Sequence, residues 1–257
     1  MPDPLQTLPI LCPLVFLAGF IDSIAGGGGL VSLPAYLLCG FPAHVAFGSN
    51  KMSSSVGTLV ATWRYARSRS MDIRAGLAGG AAALAGSFAG ARLALAVSDR
   101  FLRMLLLVLL PVVAATTLLR RKGDADNANR RFPSGKRLYA VTAGICLLIG
   151  AYDGFFGPGT GTFLILAFTG VLGFDYAKAG GTAKIVNLAS NIAAVTLFAA
   201  NAKIVLWAAV PAALCSVAGN WIGSGMAIRR GAGFIRTVLV GVLILLFIRL
   251  LVDFLAG

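Results

Sequence analysis

The sequence predicts an all-α membrane protein built from two copies of one helical unit. Of its 257 residues, 58% are hydrophobic and only 12% are charged, about half the charged fraction of roughly 25% found in soluble domains. Most of the apolar runs approach or exceed the ~17 to 25 residues that cross a bilayer, and they lack the strict alternation of barrel strands. The runs cover residues 9–24, 48–63, 75–97, 101–119, 138–151, 185–200, 204–228 and 234–252.

The chain repeats itself after about half its length. Asp22 in AGFIDSIAGGGG matches Asp153 in IGAYDGFFGPGTG, and further along Lys51 in SNK matches Lys184 in TAK. From that point, corresponding residues of the two copies stay 133 positions apart. At this offset AGSFAG aligns with AGNWIG, and RFLR aligns with GFIR. The duplication predicts a first repeat over residues 1–119, a linker over 120–137 and a second repeat over 138–257.

Each repeat begins with a short apolar segment, a glycine-rich break and a second short segment, the latter at residues 30–38 and 162–172. Four successive glycines weaken a helix far beyond what close packing needs, so we predict broken helices or hairpins here. Three longer spans follow in each copy. An odd count reverses the second copy, which predicts two inverted-topology repeats of about five helical segments each, as in many secondary transporters.

Basic residues support this orientation. The net charge is +13, and most Lys and Arg residues fall within residues 64–74, 120–137 and 229–236. Such clusters mark cytoplasmic loops, which places the linker in the cytoplasm and both termini outside. The clusters lack the interleaved aromatic residues of nucleic-acid interfaces, so no nucleic-acid partner is expected.

The two breaks are the predicted substrate site. Amide N–H groups at the start of a helix have no partner within the helix and lie at its positive end, so they can hold an anion. Other glycines at small-xxx-small spacing are expected only to pack helices together; these are Gly86, Gly90, Gly219 and Gly223. The predicted anion contacts in the breaks are Gly28, Gly29, Gly159, Thr160 and Gly161.

Ionisable side chains within apolar segments are further candidates for the substrate site. Burying one costs roughly 2.5 to 3.5 kcal/mol, so each should be paired, hydrated or used for a ligand. Asp22 and Asp153 either cap the breaks or couple transport to protons. Lys51 and Lys184 either line the site or extend to the headgroups. Further predicted contacts are Asn50, Thr182 and Asn187. Asn191 lies on the same helical face as Asn187. Asn50 and Ser53 are the loose counterparts of these two asparagines in the first copy.

Two stretches, AGFIDSIAGGGGLVSLPAYLLCGFPAHVAFGSNK and GAYDGFFGPGTGTFLIL, resemble the sulfite exporter TauE/SafE family of bacterial permeases, also called the toluenesulfonate uptake permease family. The likeness extends over about residues 14–250. It implies a permease of the bacterial inner membrane that moves small sulfur-containing anions, such as sulfite, sulfonate or sulfoacetate, by alternating access.

Alternatives to this function remain open at the level of sequence. An ion-coupled carrier or channel for another small ion would use Asp22 and Asp153 as its cation or proton site. An enzyme is not expected, because the four cysteines are isolated and no metal-spaced cluster is present. We therefore predict no cofactor and no metal; a homo-oligomer is compatible with the sequence.

Overall fold

A computed structural model of the chain describes residues 2–119 and 132–230. The predicted span at residues 234–252, the C-terminus and most of the linker lie outside these ranges. All regular structure within them is helical. The nine described helices are α1 (Pro4–Ala25), α2 (Gly29–Leu38), α3 (Ala43–Arg67), α4 (Ile73–Ala96), α5 (Asp99–Leu119), α6 (Gly135–Phe155), α7 (Thr160–Gly170), α8 (Tyr176–Ala200) and α9 (Leu206–Arg230).

Five of the described helices, namely α1, α4, α6, α8 and α9, are long and apolar enough to cross a membrane. By contrast, α2 and α7 have only 10 and 11 residues, about half of what a bilayer requires. The predicted all-helical class is thus confirmed for the described residues. The chain is a multi-pass membrane protein.

Both predicted glycine breaks are confirmed. Helix α1 ends where Gly26 adopts a left-handed φ of 75°, and its N–H donates to the Asp22 carbonyl at 2.9 Å. Gly159, with a φ of 84°, directly precedes α7. Glycine adopts this conformation without the steric cost that other residues meet, so the sequence itself stops one helix and starts the next.

Helix α8 begins nine residues before the predicted start of its apolar run at residue 185. The nine intervening residues include two glycines and two lysines. This part of the helix therefore does not stand out as an apolar run in the sequence. The Asp175 carboxylate fixes the true start, because it accepts a hydrogen bond from the Lys178 N–H at 3.0 Å and so caps the free amides of the first turn.

Helices at matching places in the two sequence copies make matching contacts. Helix α1 packs along α9 and α6 packs along α4, while α3 and α8 contact each other between these pairs. Glycines allow the close approach, since a Cβ added at any of four positions would overlap a backbone carbonyl of the facing helix. They are Gly86 and Gly90 on α4 and Gly219 and Gly223 on α9, and their predicted packing role is confirmed.

Candidate functional site

The two breaks touch each other. The Thr162 N–H donates to the Gly26 carbonyl at 3.2 Å, and the Thr162 hydroxyl donates to the Ala25 carbonyl at 2.8 Å. A Cβ added at Gly161 would lie 2.5 Å from the Gly26 Cα, far inside van der Waals contact. Only glycine permits this approach, which brings the start of α7 against the end of α1.

A small cavity lies beside this contact. The cavity has a volume of about 40 Å³, several times the ~10 to 15 Å³ that one water needs. The cavity therefore suits a small ion or a few waters. Nine of the twelve predicted site residues line it: Asp22, Gly28, Gly29, Asn50, Lys51, Asp153, Thr160, Gly161 and Asn187.

Backbone amides in the cavity wall are available to a ligand. The N–H groups of Gly28, Gly29 and Gly161 donate no hydrogen bond to any other described residue. All three lie at the starts of α2 and α7, where the helix dipole favours negative charge. This is the arrangement predicted for an anion site at the breaks.

Lys51 forms a buried ion pair with Asp153. The Lys51 Nζ lies 2.7 Å from the Asp153 Oδ2, and the two side chains are only 5% and 3% exposed. The same ammonium donates to the Asn191 Oδ1 at 3.0 Å. The Ser190 hydroxyl donates to the same carboxylate oxygen. Both members of this pair line the cavity.

The second pair mirrors the first. The Lys184 Nζ lies 2.6 Å from the Asp22 Oδ2 and donates to the Asp22 carbonyl at 2.6 Å. Each lysine thus pairs with the aspartate of the other sequence copy. Both lysines are buried, so neither extends to the headgroups. The carboxylates accept from no backbone amide of the described residues, which leaves the capping role without support.

Residues at corresponding positions of α3 and α8 line the cavity. The sequence offset of 133 residues, applied beyond the lysines, would have found Ser54 and Thr58, which sequence reasoning missed. Ser53, given from the sequence with Asn50 as a loose counterpart of Asn187 and Asn191, lies outside the cavity wall, and its hydroxyl accepts from the Tyr36 hydroxyl at 3.2 Å. The matched triplets are Lys51, Ser54 and Thr58 with Lys184, Asn187 and Asn191; all but Lys184 reach the cavity wall.

Besides Lys184, two predicted contacts lie outside the cavity wall, Thr182 and Gly159. The Thr182 hydroxyl accepts from the Asp72 N–H at 2.9 Å, just before α4. In the same way, the Ser49 hydroxyl accepts from the Val205 N–H at 3.0 Å, just before α9. Each of these two hydroxyls therefore binds the residue just before a long helix of the other sequence copy and does not line the cavity.

Replacing Thr182 by valine is expected to lower the free energy of unfolding by about 1 to 3 kcal/mol, because the Asp72 N–H loses its acceptor. Substrate transport by the folded protein should be retained. Thermal unfolding in detergent and uptake into proteoliposomes measure the two effects. Thr196→Val, at an exposed position on α8, is the matched control. Lost transport at unchanged stability would instead make Thr182 a substrate contact.

Asn220 is a further cavity residue that sequence reasoning missed. Its Nδ2 donates to the Ser216 carbonyl at 3.0 Å. Its Oδ1 is the only buried side-chain nitrogen or oxygen without a hydrogen-bond partner among the described residues. The sequence does contain a signal for it, because Asn220 is the only side-chain amide in a span that is otherwise poor in polar residues. A buried unpaired polar atom beside a cavity is a candidate contact for a ligand or a water.

Broken helices that meet at a small, charged cavity within a bundle of membrane-spanning helices define a membrane transporter. The comparisons with known proteins agree. The chain belongs to the sulfite exporter TauE/SafE family, whose model matches residues 11–250.

Its relatives cover nearly the whole chain. It is 37% identical to the probable membrane transporter protein ORF9 of a Sinorhizobium species, over 96% of this chain and 93% of that protein. It is 35% identical to the probable membrane transporter protein YfcA of Escherichia coli K12, over 96% and 90%. A probable membrane transporter protein of Haemophilus influenzae is 33% identical, over 92% and 91%. No solved structure matches the chain.

Proposed function

We propose that this protein is a secondary transporter that carries a small sulfur oxyanion, such as sulfite, a sulfonate or sulfoacetate, across the bacterial inner membrane. The proposal rests chiefly on the buried Lys51–Asp153 pair, which faces a cavity of ionic size beside free amides. The family description supports sulfite as the type of cargo. Ammonium and amide donors together suit an oxyanion, whose several oxygens can accept hydrogen bonds at once.

Charge balance suggests how the cargo is held. The two lysines and two aspartates cancel, so a bound anion adds an uncompensated negative charge in a buried site, which is costly. A proton on Asp153 removes that excess and releases the Lys51 ammonium to the cargo. The Ser190 hydroxyl can then accept from the protonated carboxyl, because a hydroxyl both donates and accepts. We therefore propose that the anion moves together with a proton.

A cation site built from Asp22 and Asp153 is less favoured by this geometry. Both carboxylates already have a lysine within 2.7 Å. A metal or alkali cation would have to displace an ammonium that, once unpaired, costs several kcal/mol in a buried position. An anion that arrives with a proton avoids this cost, because the protonated Asp153 is neutral and can leave the ammonium to the cargo.

The matched contacts support alternating access by two inverted repeats. Ion pairs, helix-start hydroxyls and helix contacts all recur between the copies at corresponding positions. We propose residues 1–119 and 138–257 as the repeats, with the linker 120–137 cytoplasmic and both termini outside. Rocking of one repeat against the other about the breaks would then open the cavity to each side in turn.

Uptake by purified protein in proteoliposomes tests the proposed function. Sulfite, thiosulfate, sulfoacetate and taurine are supplied as labelled cargo, with and without an imposed pH gradient. Saturable, protein-dependent movement of at least one of these anions is expected. If none of them moves, while another small ion does, the proposed cargo is wrong.

Replacing Asp153 by asparagine is expected to abolish proton coupling. With the membrane potential clamped, each unit of pH gradient should raise wild-type accumulation of thiosulfate up to about tenfold, since it is worth about 1.4 kcal/mol per proton. The variant has no carboxylate to protonate, so its accumulation should not respond to the gradient. Asp3→Asn is the matched control, because Asp3 is exposed at the start of α1 and asparagine caps equally well. A variant that still responds would contradict the role of Asp153.

A further inference from the structure

A second recess lies between the C-terminal ends of α3 and α9, just beyond the cavity residues Thr58 and Asn220 along the chain. Two tryptophan rings, Trp63 and Trp221, stack with centroids 5.9 Å apart and planes 20° apart. Although stacked, both remain about half exposed, at 50% and 47%. We call this recess the Trp–Arg groove; its lining is completed by Arg64, Arg67, Ser68, Gly225 and Ile228.

Two guanidinium groups lie against these rings. The Arg64 Cζ is 4.5 Å from the centre of the Trp221 ring, and the Arg67 Cζ is 5.6 Å from the centre of the Trp63 ring. Arg64 also donates to the Trp221 carbonyl. Neither arginine pairs with a carboxylate of the described residues. The groove therefore holds two oriented positive charges and no described counter-ion.

The groove lies at the level of the lipid headgroups. The apolar part of α9 ends at Ile228, so Trp221 and Gly225 occupy its last two turns. Tryptophan at this depth is typical of the membrane interface. Exposed apolar side chains continue from each ring towards the membrane interior at helical spacing: Val56 and Leu59 below Trp63 on α3, and Val210 and Leu214 below Trp221 on α9.

The groove does not belong to the duplicated machinery. At the offset of 133 residues, Trp63, Arg64 and Arg67 correspond to Thr196, Leu197 and Ala200, which carry neither charge nor an aromatic ring. The ion pairs and the cavity triplets, by contrast, have counterparts in both copies. A feature present in one copy only points to a role other than the transport path.

We propose that the Trp–Arg groove binds the headgroup of an anionic phospholipid. Guanidinium groups bind phosphate oxygens through paired hydrogen bonds, and the stacked indoles fix the guanidinium planes at the headgroup level. The acyl chains then lie along the apolar stripes of α3 and α9. Both the charge of the groove and its position above lipid-facing stripes favour a phospholipid over a soluble phosphate.

Native mass spectrometry of the full-length protein in detergent tests this proposal. Dioleoyl phosphatidylglycerol is compared with dioleoyl phosphatidylcholine at equal concentration. The wild type should prefer phosphatidylglycerol roughly 10- to 30-fold, as expected for two arginines near a phosphate. The preference should fall to near unity in Arg64→Gln/Arg67→Gln and should fall severalfold in Arg67→Gln, which leaves the Arg64–Trp221 contact intact. Arg74→Gln, an exposed arginine on α4, should retain it.

Two outcomes would overturn the proposal. The first is equal binding of the two lipids by the wild type, or an unchanged preference in both groove variants. The second is loss of bound phosphatidylglycerol when millimolar inorganic phosphate is added, because this would identify a soluble phosphate as the occupant. Thermal unfolding of each variant, measured in parallel, ensures that lipid binding is compared between folded proteins.

Discussion

Lys51→Ala is expected to slow anion transport roughly 150- to 5,000-fold, since losing one partner of a buried ion pair costs about 3 to 5 kcal/mol. Two effects act together. The cargo loses the ammonium that replaces its hydration, and the Asp153 carboxylate, only 3% exposed, loses its counter-ion in a buried position. Initial uptake rates in proteoliposomes, corrected for the amount of folded protein, measure the loss.

Two further variants separate function from folding in this experiment. Lys136→Ala removes an exposed lysine at the start of α6 and should transport like the wild type. Lys51→Met/Asp153→Asn removes both charges of the pair, so it should fold but still fail to carry the anion. Transport at the wild-type rate by this double variant would show that Lys51 does not bind the cargo.

Gly161→Ala is expected to destabilise the protein by about 3 kcal/mol or more, at the upper end of the cost of overpacking. The added Cβ would meet the backbone of Gly26, with the carbonyl oxygen 2.7 Å away, and neither main chain can move aside without separating the two breaks. We therefore expect a lower melting temperature in detergent and loss of anion uptake even by protein that remains folded.

Gly144→Ala provides the matched control for this substitution. Gly144 also lies in a membrane helix, but no atom comes within 4 Å of the position of its added Cβ. Alanine is the better helix former by about 1 kcal/mol, so this variant should be as stable as the wild type or more stable. If Gly161→Ala behaves like Gly144→Ala, the close contact of the breaks is not needed for function.

The sequence was sufficient to predict the broken helices, because their signal is local. A run of glycines inside an apolar segment ends a helix wherever the chain folds. The duplication likewise identified Lys51 and Lys184 as equivalent, and Asp22 and Asp153 with them. These four charges stand out in a chain where so few polar groups interrupt the membrane segments.

Which partner each charge would find was beyond the sequence. The Lys51–Asp153 and Lys184–Asp22 pairs join the two copies crosswise, and this depends on how α3 and α8 pack, not on spacing along the chain. The hydrogen-bond partner of Thr182 was beyond the sequence for the same reason. Thr182 lies two residues before Lys184 in the sequence and was predicted together with it. In the fold, however, the Asp72 N–H just before α4 lies close enough to donate to the Thr182 hydroxyl.

Long-wavelength X-ray diffraction from crystals soaked in the sulfur anion that is taken up fastest tests the central claim most directly. Anomalous scattering then locates sulfur atoms beyond those of the methionines and cysteines. We predict one additional sulfur peak between the two glycine breaks, within ~4 Å of the Lys51 Nζ, as a hydrogen-bonded oxyanion requires. A cavity without such a peak at saturating anion, with the additional peak elsewhere in the protein, would contradict the account.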